Sequence, residues 1–142
     1  MLKIVVVALD SSDLSTRVIE TIQQLQLSQS VKIILARVIP PSESDLEIAA
    51  DRPHRDLEAN PYKHIEKQLQ AYQAILPFES KLEIVTGDPA EEIIRLANIY
   101  HADLIVLGSR GLTGVDRILQ GSVSSQVVED ASCSVLVVKP VV

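Results

Sequence analysis

Leu104-Ile105-Val106-Leu107-Gly108-Ser109-Arg110-Gly111-Leu112-Thr113-Gly114, with Gly121-Ser122-Val123-Ser124-Ser125 following after six intervening residues, is the stretch from which the fold of this chain is read. It opens as an unbroken apolar run. Runs without polar alternation suit strands covered on both faces, as in a parallel sheet. It then passes through Gly108, Gly111, Gly114 and Gly121, four of the chain's five glycines. Glycine costs backbone entropy, so such a cluster implies positive φ or a close approach of the backbone to another group. Beyond Gly121, Val123, Val127, Val128 and Ala131 take up helical spacing. Strand, glycine loop and helix follow one another directly.

The same alternation extends outward in both directions. Ile4 to Leu9, Ile33 to Ile39, Leu82 to Val85 and Val135 to Val138 are further β-branched apolar runs. Between them, Leu14, Val18, Ile22 and Leu25 mark one helix. Ile65, Leu69, Tyr72 and Ile75 mark a second, and Ala90, Ile93, Ile94 and Ala97 a third. Alternating strands and helices predict an α/β fold with a mostly parallel sheet. Right-handed crossovers leave that sheet open and doubly wound, with helices on both faces. The 142 residues are expected to form one domain. Residues 40–60 stand apart as a long loop. Glu43, Asp45, Glu47, Asp51, Asp56 and Glu58 face only Arg52 and Arg55 there, a net charge of minus four.

Composition narrows the function. Apolar residues make up 46% and charged residues 23%, as in an ordinary globular domain. The net charge of −6 argues against nucleic acid and against an anionic membrane surface, both of which need a basic face. Cys133 is the only cysteine, so no internal disulfide and no thiolate metal cluster can form. His54, His64 and His101 lack ligand-like spacing, and no apolar run reaches the ~18 residues of a membrane span. The apolar opening from Leu2 to Leu9 ends at Asp10 with no small-residue cleavage site, and a cytoplasmic location is expected.

The glycine loop reads as an anion cradle. Its backbone N–H groups are unobstructed, and the helix starting near Ser122 adds unpaired N–H groups and a positive dipole end. Ser122, Ser124 and Ser125 add hydroxyls, and Arg110 can neutralise a phosphate ester. The loop lies at the carboxyl end of a strand, where open α/β sheets bind ligands. The competing reading is a tight turn with Ser122 capping the helix. There is neither a P-loop lysine motif nor a dinucleotide fingerprint after the first strand. Asp10 has two readings as well, a ligand contact or part of a helix start in which Ser11 or Ser12 is the cap. Asp88 reads as a turn residue before Pro89, Cys133 as a small buried filler, and His64 as a solvated helix residue.

These residues resemble the nucleotide-binding branch of the universal stress protein family. Its pattern of glycine, two residues, glycine, nine residues, glycine and serine or threonine is matched by Gly108, Gly111, Gly121 and Ser122. At a glycine frequency of about 7%, a chance match occurs in roughly one such chain in 200. The resemblance extends to Val7-Ala8-Leu9-Asp10-Ser11-Ser12, to Gly87-Asp88-Pro89-Ala90-Glu91-Glu92-Ile93, and to Ser134-Val135-Leu136-Val137-Val138. It implies a five-stranded parallel sheet in the order 3-2-1-4-5 and ATP bound at the carboxyl ends of strands one and four. By the same resemblance Ala8, Leu9 and Asp10 would hold the adenosine, and Val38 would meet adenine through its backbone. Leu107 and Gly108 would line the ribose and phosphate path. Gly111, Gly121, Ser122 and Val123 would hold the phosphates, with Ser124 a further donor. The residue after the aspartate, often glycine or a bulky residue in the family, is Ser11 here. ATP, AMP, ADP and a cyclic nucleotide share the adenosine site, and magnesium can accompany ATP with Asp10 as its candidate ligand.

Two other readings compete. A phosphoacceptor signalling domain would use Asp10, Asp88 and Lys139, although Ser11 stands where its second acid belongs. An enzyme would need metal ligands, charge clamps and a positioned nucleophile. Nothing in the spacing supplies them, so at most slow ATP hydrolysis or self-phosphorylation is expected. The apolar last strand, Val135 to Val138, continuing into Lys139-Pro140-Val141-Val142, predicts a homodimer through that edge. The expected role is a nucleotide-responsive regulator in a stress response, read by a protein partner.

Overall fold

The structure, a computed structural model, describes residues 2–10, 12–41, 61–109 and 122–140. Five strands form its sheet: β1 (Ile4–Leu9), β2 (Lys32–Ile39), β3 (Glu79–Thr86), β4 (Leu104–Gly108) and β5 (Ser134–Val138). They lie in the order β3-β2-β1-β4-β5, every neighbour parallel. The helices are α1 (Leu14–Gln24), α2 (Pro61–Ile75), α3 (Pro89–Tyr100) and α4 (Ser122–Asp130). The expected order and parallel sheet are both observed.

Period-two geometry sorts the core into two layers. Val5, Val7, Ile33, Leu35 and Val106 face α1 and α2 through Val18, Ile19, Ile22, Ile65 and Leu69. The intervening Val6, Ile34, Ala36, Ile105 and Leu107 face α3 and α4 through Ile93, Leu96, Ala97 and Val127. Both sides of the central strands are thus dry, which is why their sequence runs carry no polar alternation. Each such side chain contributes roughly 1.5–3 kcal/mol by leaving water.

Three local expectations change. β3 is longer than its apolar run because backbone pairing with β2 continues from Lys32↔Glu79 to Ile39↔Thr86, whatever the side chains. Ile75 and Val128, placed on core stripes by their spacing, are 53% and 54% exposed. Ser124 is buried instead on α4, and Leu76, the first residue after α2, is buried in place of Ile75. Cys133 packs against the α3/α4 core but is only half-buried.

α3 shows how its ends are set. Asp88 is the N-cap, its Oδ2 accepting from Glu91 N at 3.1 Å, and Pro89 opens the helix. At the other end His101 adopts the left-handed conformation, φ 54° and ψ 48°. Ala102 N then donates to Ala97 O at 2.8 Å, the bond of a Schellman termination. At the amino edge of the sheet, Asp103 Oδ2 accepts from Lys3 N at 2.8 Å and Ile4 N at 3.0 Å, tying β4 to the start of β1.

Candidate functional site

β1 and β4 are neighbours in register from Val5↔Leu104 to Val7↔Val106, and β2 lies on the other side of β1. Their carboxyl ends therefore bring Ala8, Leu9 and Asp10 beside Leu107 and Gly108, with Val38 across β1 on β2. Ser122, Val123 and Ser124 form the first turn of α4. Arg110, Gly111 and Gly121 lie outside the described residues, as do the acidic 42–60 segment and Ser11.

Burial decides how each residue can act. Leu9, Val38 and Leu107 are core residues, 5%, 5% and 3% exposed. Their side chains are committed to packing, and at the strand ends they offer only backbone groups. Ser122 is exposed while Ser124 is buried, so the two hydroxyls are not equivalent. Gly108 is explained by close approach. A Cβ there would stand 2.5 Å from Leu14 Cδ2 and 2.8 Å from Leu14 Cγ. The missing side chain lets the start of α1 settle on the end of β4, so Asp10 and Gly108 share one rim.

Asp10 is held at its backbone and at one carboxylate oxygen. Its Oδ1 accepts from Ser12 N at 2.8 Å, Ser12 Oγ at 2.6 Å and Ser15 Oγ at 3.1 Å. Its backbone is held too: Asp10 N donates to Ser15 Oγ at 2.8 Å, and Ser15 Oγ lies 2.9 Å from Asp10 O. Its Oδ2 takes no hydrogen bond among the described residues. The turn into α1 is thus built on Oδ1, and Oδ2 takes no part in it. The helix start itself differs from the expectation. Asp13 is the N-cap and makes no side-chain capping bond, while Ser12 Oγ accepts from Leu14 N at 3.3 Å.

Sequence reasoning missed Ser15. The signal was there: a serine among Leu14, Val18, Ile19 and Ile22 on the buried side of α1, itself only 2% exposed. A hydroxyl in such a place needs a partner.

The other candidates separate from the site. Asp88 serves as the α3 cap, and β2 stands between β3 and β1, so the phosphoacceptor arrangement of Asp10 with Asp88 is not assembled. His64 is exposed on α2, as expected. Burial pushes the Cys133 thiol up, away from the reactive thiolate. Among the described residues no three metal-ligating side chains cluster, and no helix is long and apolar enough to cross a membrane.

The universal stress protein family model matches residues 1–139. The chain belongs to the universal stress protein family. Universal stress protein Sll1388 of Synechocystis is 30% identical over 152 residues, covering 95% of this chain and 96% of the relative. A shorter match to universal stress protein MJ0531 of Methanocaldococcus jannaschii is 53% identical over 57 residues, 40% of this chain and 34% of that protein's length. Among solved structures, MJ0577 of the same archaeon superposes with a TM-score of 0.82 at 27% identity, covering 100% of this chain and 99% of that one. A universal stress protein in complex with cAMP superposes with a TM-score of 0.67 at 26% identity, covering 97% of each chain. With these solved structures this universal stress protein shares its fold over almost the whole chain.

Proposed function

We propose that this universal stress protein binds an adenine nucleotide, ATP foremost, at the carboxyl ends of β1 and β4 and works as a cytoplasmic regulator in a stress response. The observation that carries the reading is the open Oδ2 of Asp10, a fixed acceptor on the rim that the missing Gly108 side chain brings together. An acceptor suits the nucleoside, whose ribose hydroxyls and exocyclic amine are donors. The phosphates then belong to the glycine segment and the first turn of α4, where Ser122 is exposed. The cAMP complex of a relative supports an adenine ligand in this fold. Magnesium would come with the phosphates, since one open carboxylate oxygen supplies a single ligand and Mg²⁺ keeps octahedral oxygen coordination.

The whole chain acts as one domain in this reading, and nucleotide occupancy changes a surface read by a protein partner. Such a shift requires the ligand to favour one state. β5 is the natural dimer edge. The opposite edge, β3, carries Glu79, Lys81 and Glu83, charges that discourage strand addition, whereas β5 runs Val135 to Val138 without one. We assign no multiple-turnover chemistry, and a steady-state assay releasing many ADP per protein per second would reverse that assignment.

The site is tested by calorimetric titration of nucleotide-stripped protein with Mg-ATP and separately with AMP. Saturation at micromolar ATP, about −8 kcal/mol, is expected. Equal affinity for AMP would place the binding energy on the adenosine contacts, and loss with AMP would place it on the glycine loop and Ser122. No saturation by either nucleotide would overturn the reading.

A further inference from the structure

We infer that Ser15 is the positioning residue of the nucleotide site, holding the Asp10 carboxylate so that Oδ2 faces the ligand as a hydrogen-bond acceptor for the nucleoside. The inference rests on the proposed adenine-nucleotide reading and deepens it. Among the described residues Ser15 Oγ is the one atom that meets three parts of Asp10. It accepts from Asp10 N at 2.8 Å and lies 2.9 Å from Asp10 O and 3.1 Å from Oδ1, the two acceptors that share its single proton. The ends of an aspartate's rotation are thereby fixed: the backbone on one side and one carboxylate oxygen on the other. Ser12 completes the arrangement by donating twice to the same Oδ1.

Fixing the carboxylate this way has a chemical consequence. Oδ1 is satisfied and cannot compete for the ligand, so recognition falls to Oδ2, and its partner within the nucleotide must be a donor. A ribose hydroxyl or an exocyclic amine qualifies; a phosphate oxygen does not. A carboxylate free to rotate would lose that preorganisation and would have to be ordered on binding. Ser15 is 2% exposed and touches no ligand itself, so its effect must travel through Asp10.

The test measures ATP and AMP affinity calorimetrically for the full chain and three variants, with thermal unfolding confirming that each is folded. Ser15→Ala is expected to weaken both nucleotides by a similar factor, about tenfold, the size of a lost hydrogen bond to a charged group. Asp10→Asn keeps an acceptor oxygen for the turn but presents an NH₂ group where Oδ2 was, and should weaken both nucleotides at least as much. In the Asp10→Asn background Ser15→Ala should then cost little more, because its route to the ligand is already broken. A serine that merely stabilised the turn would instead give losses that multiply in the double variant, and that outcome overturns the inference. So does wild-type affinity in Ser15→Ala. If Ser15→Ala does not fold, Ser15→Cys, with a similar volume and a weaker donor, should bind with intermediate affinity, and wild-type affinity there refutes the role. Saturable binding by the wild type with no effect of Ser15 refutes this inference alone, whereas no binding by the wild type removes the nucleotide reading and this inference with it.

Discussion

Replacing Gly108 with alanine should destabilise the fold by pushing α1 off the end of β4. The added methyl would sit 2.5 Å from Leu14 Cδ2 and 2.8 Å from Leu14 Cγ, distances that real Cβ atoms do not adopt. Cδ2 can rotate away, but Cγ moves only with the rest of the side chain. Leu14 is 8% exposed, so it can shift only against the groups that bury it. Overpacking of this kind costs roughly 1–3 kcal/mol. Alanine recovers roughly 0.4–1 kcal/mol by stiffening the unfolded chain. The net expectation is a loss of about 1–2 kcal/mol, or a fall in Tm of roughly 3–7 °C for a chain of this size. Urea unfolding followed by circular dichroism measures it as a lower midpoint at unchanged slope. The decisive control is Leu14→Ala. Alone it should cost about 2–5 kcal/mol by opening a cavity. Combined with Gly108→Ala it should cost no more, because the new methyl enters the space that Leu14 vacated. Unchanged or raised stability of Gly108→Ala, or additive losses in the pair, would refute the reasoning. Because Asp10 and α1 move together, the Gly108→Ala protein should also bind nucleotide more weakly.

His101→Gly should raise stability by about 0.5–1 kcal/mol, since a side chain held at φ 54° costs energy that glycine does not; thermal unfolding measures it, and a lower Tm would contradict the strain. Asp103 is held below the usual carboxylate range by the N–H groups of Lys3 and Ile4. Its stabilising effect is therefore complete above about pH 4 and is lost as acid protonates it, so Asp103→Asn should flatten the acid limb of a stability-versus-pH curve, and an unchanged limb would show the clamp to be idle. Sedimentation at micromolar concentration should give the mass of a dimer formed through β5, and a monomer would remove that edge as an interface.

The glycine segment and the five apolar runs make the fold legible from the residues alone. Apolar periodicity is a local property of the chain, and strands buried on both faces write it without interruption. Strand order came instead from resemblance, because nothing in the composition of Ile4–Leu9 says that its neighbours are β2 and β4. The rim was half legible. Asp10 stood out by its place after the first strand, but the division of labour between its two oxygens did not. Ser15 was hidden because a serine on a helix is ordinary until the sheet packs over it.

Residue order alone therefore settled the α/β class, the sites of the strands and helices, the turn at Asp88 before Pro89, and the family. These follow from neighbours within a few residues, or from a motif whose spacing is itself the information. Tertiary structure decided which face of each helix is dry, so that Ile75 and Val128 lie outside while Ser15 and Ser124 lie within. It also decided why residue 108 is a glycine, and it freed one oxygen of Asp10 by engaging the other. The reason is the same in each case: packing and hydrogen bonding join groups that meet only once the chain has folded.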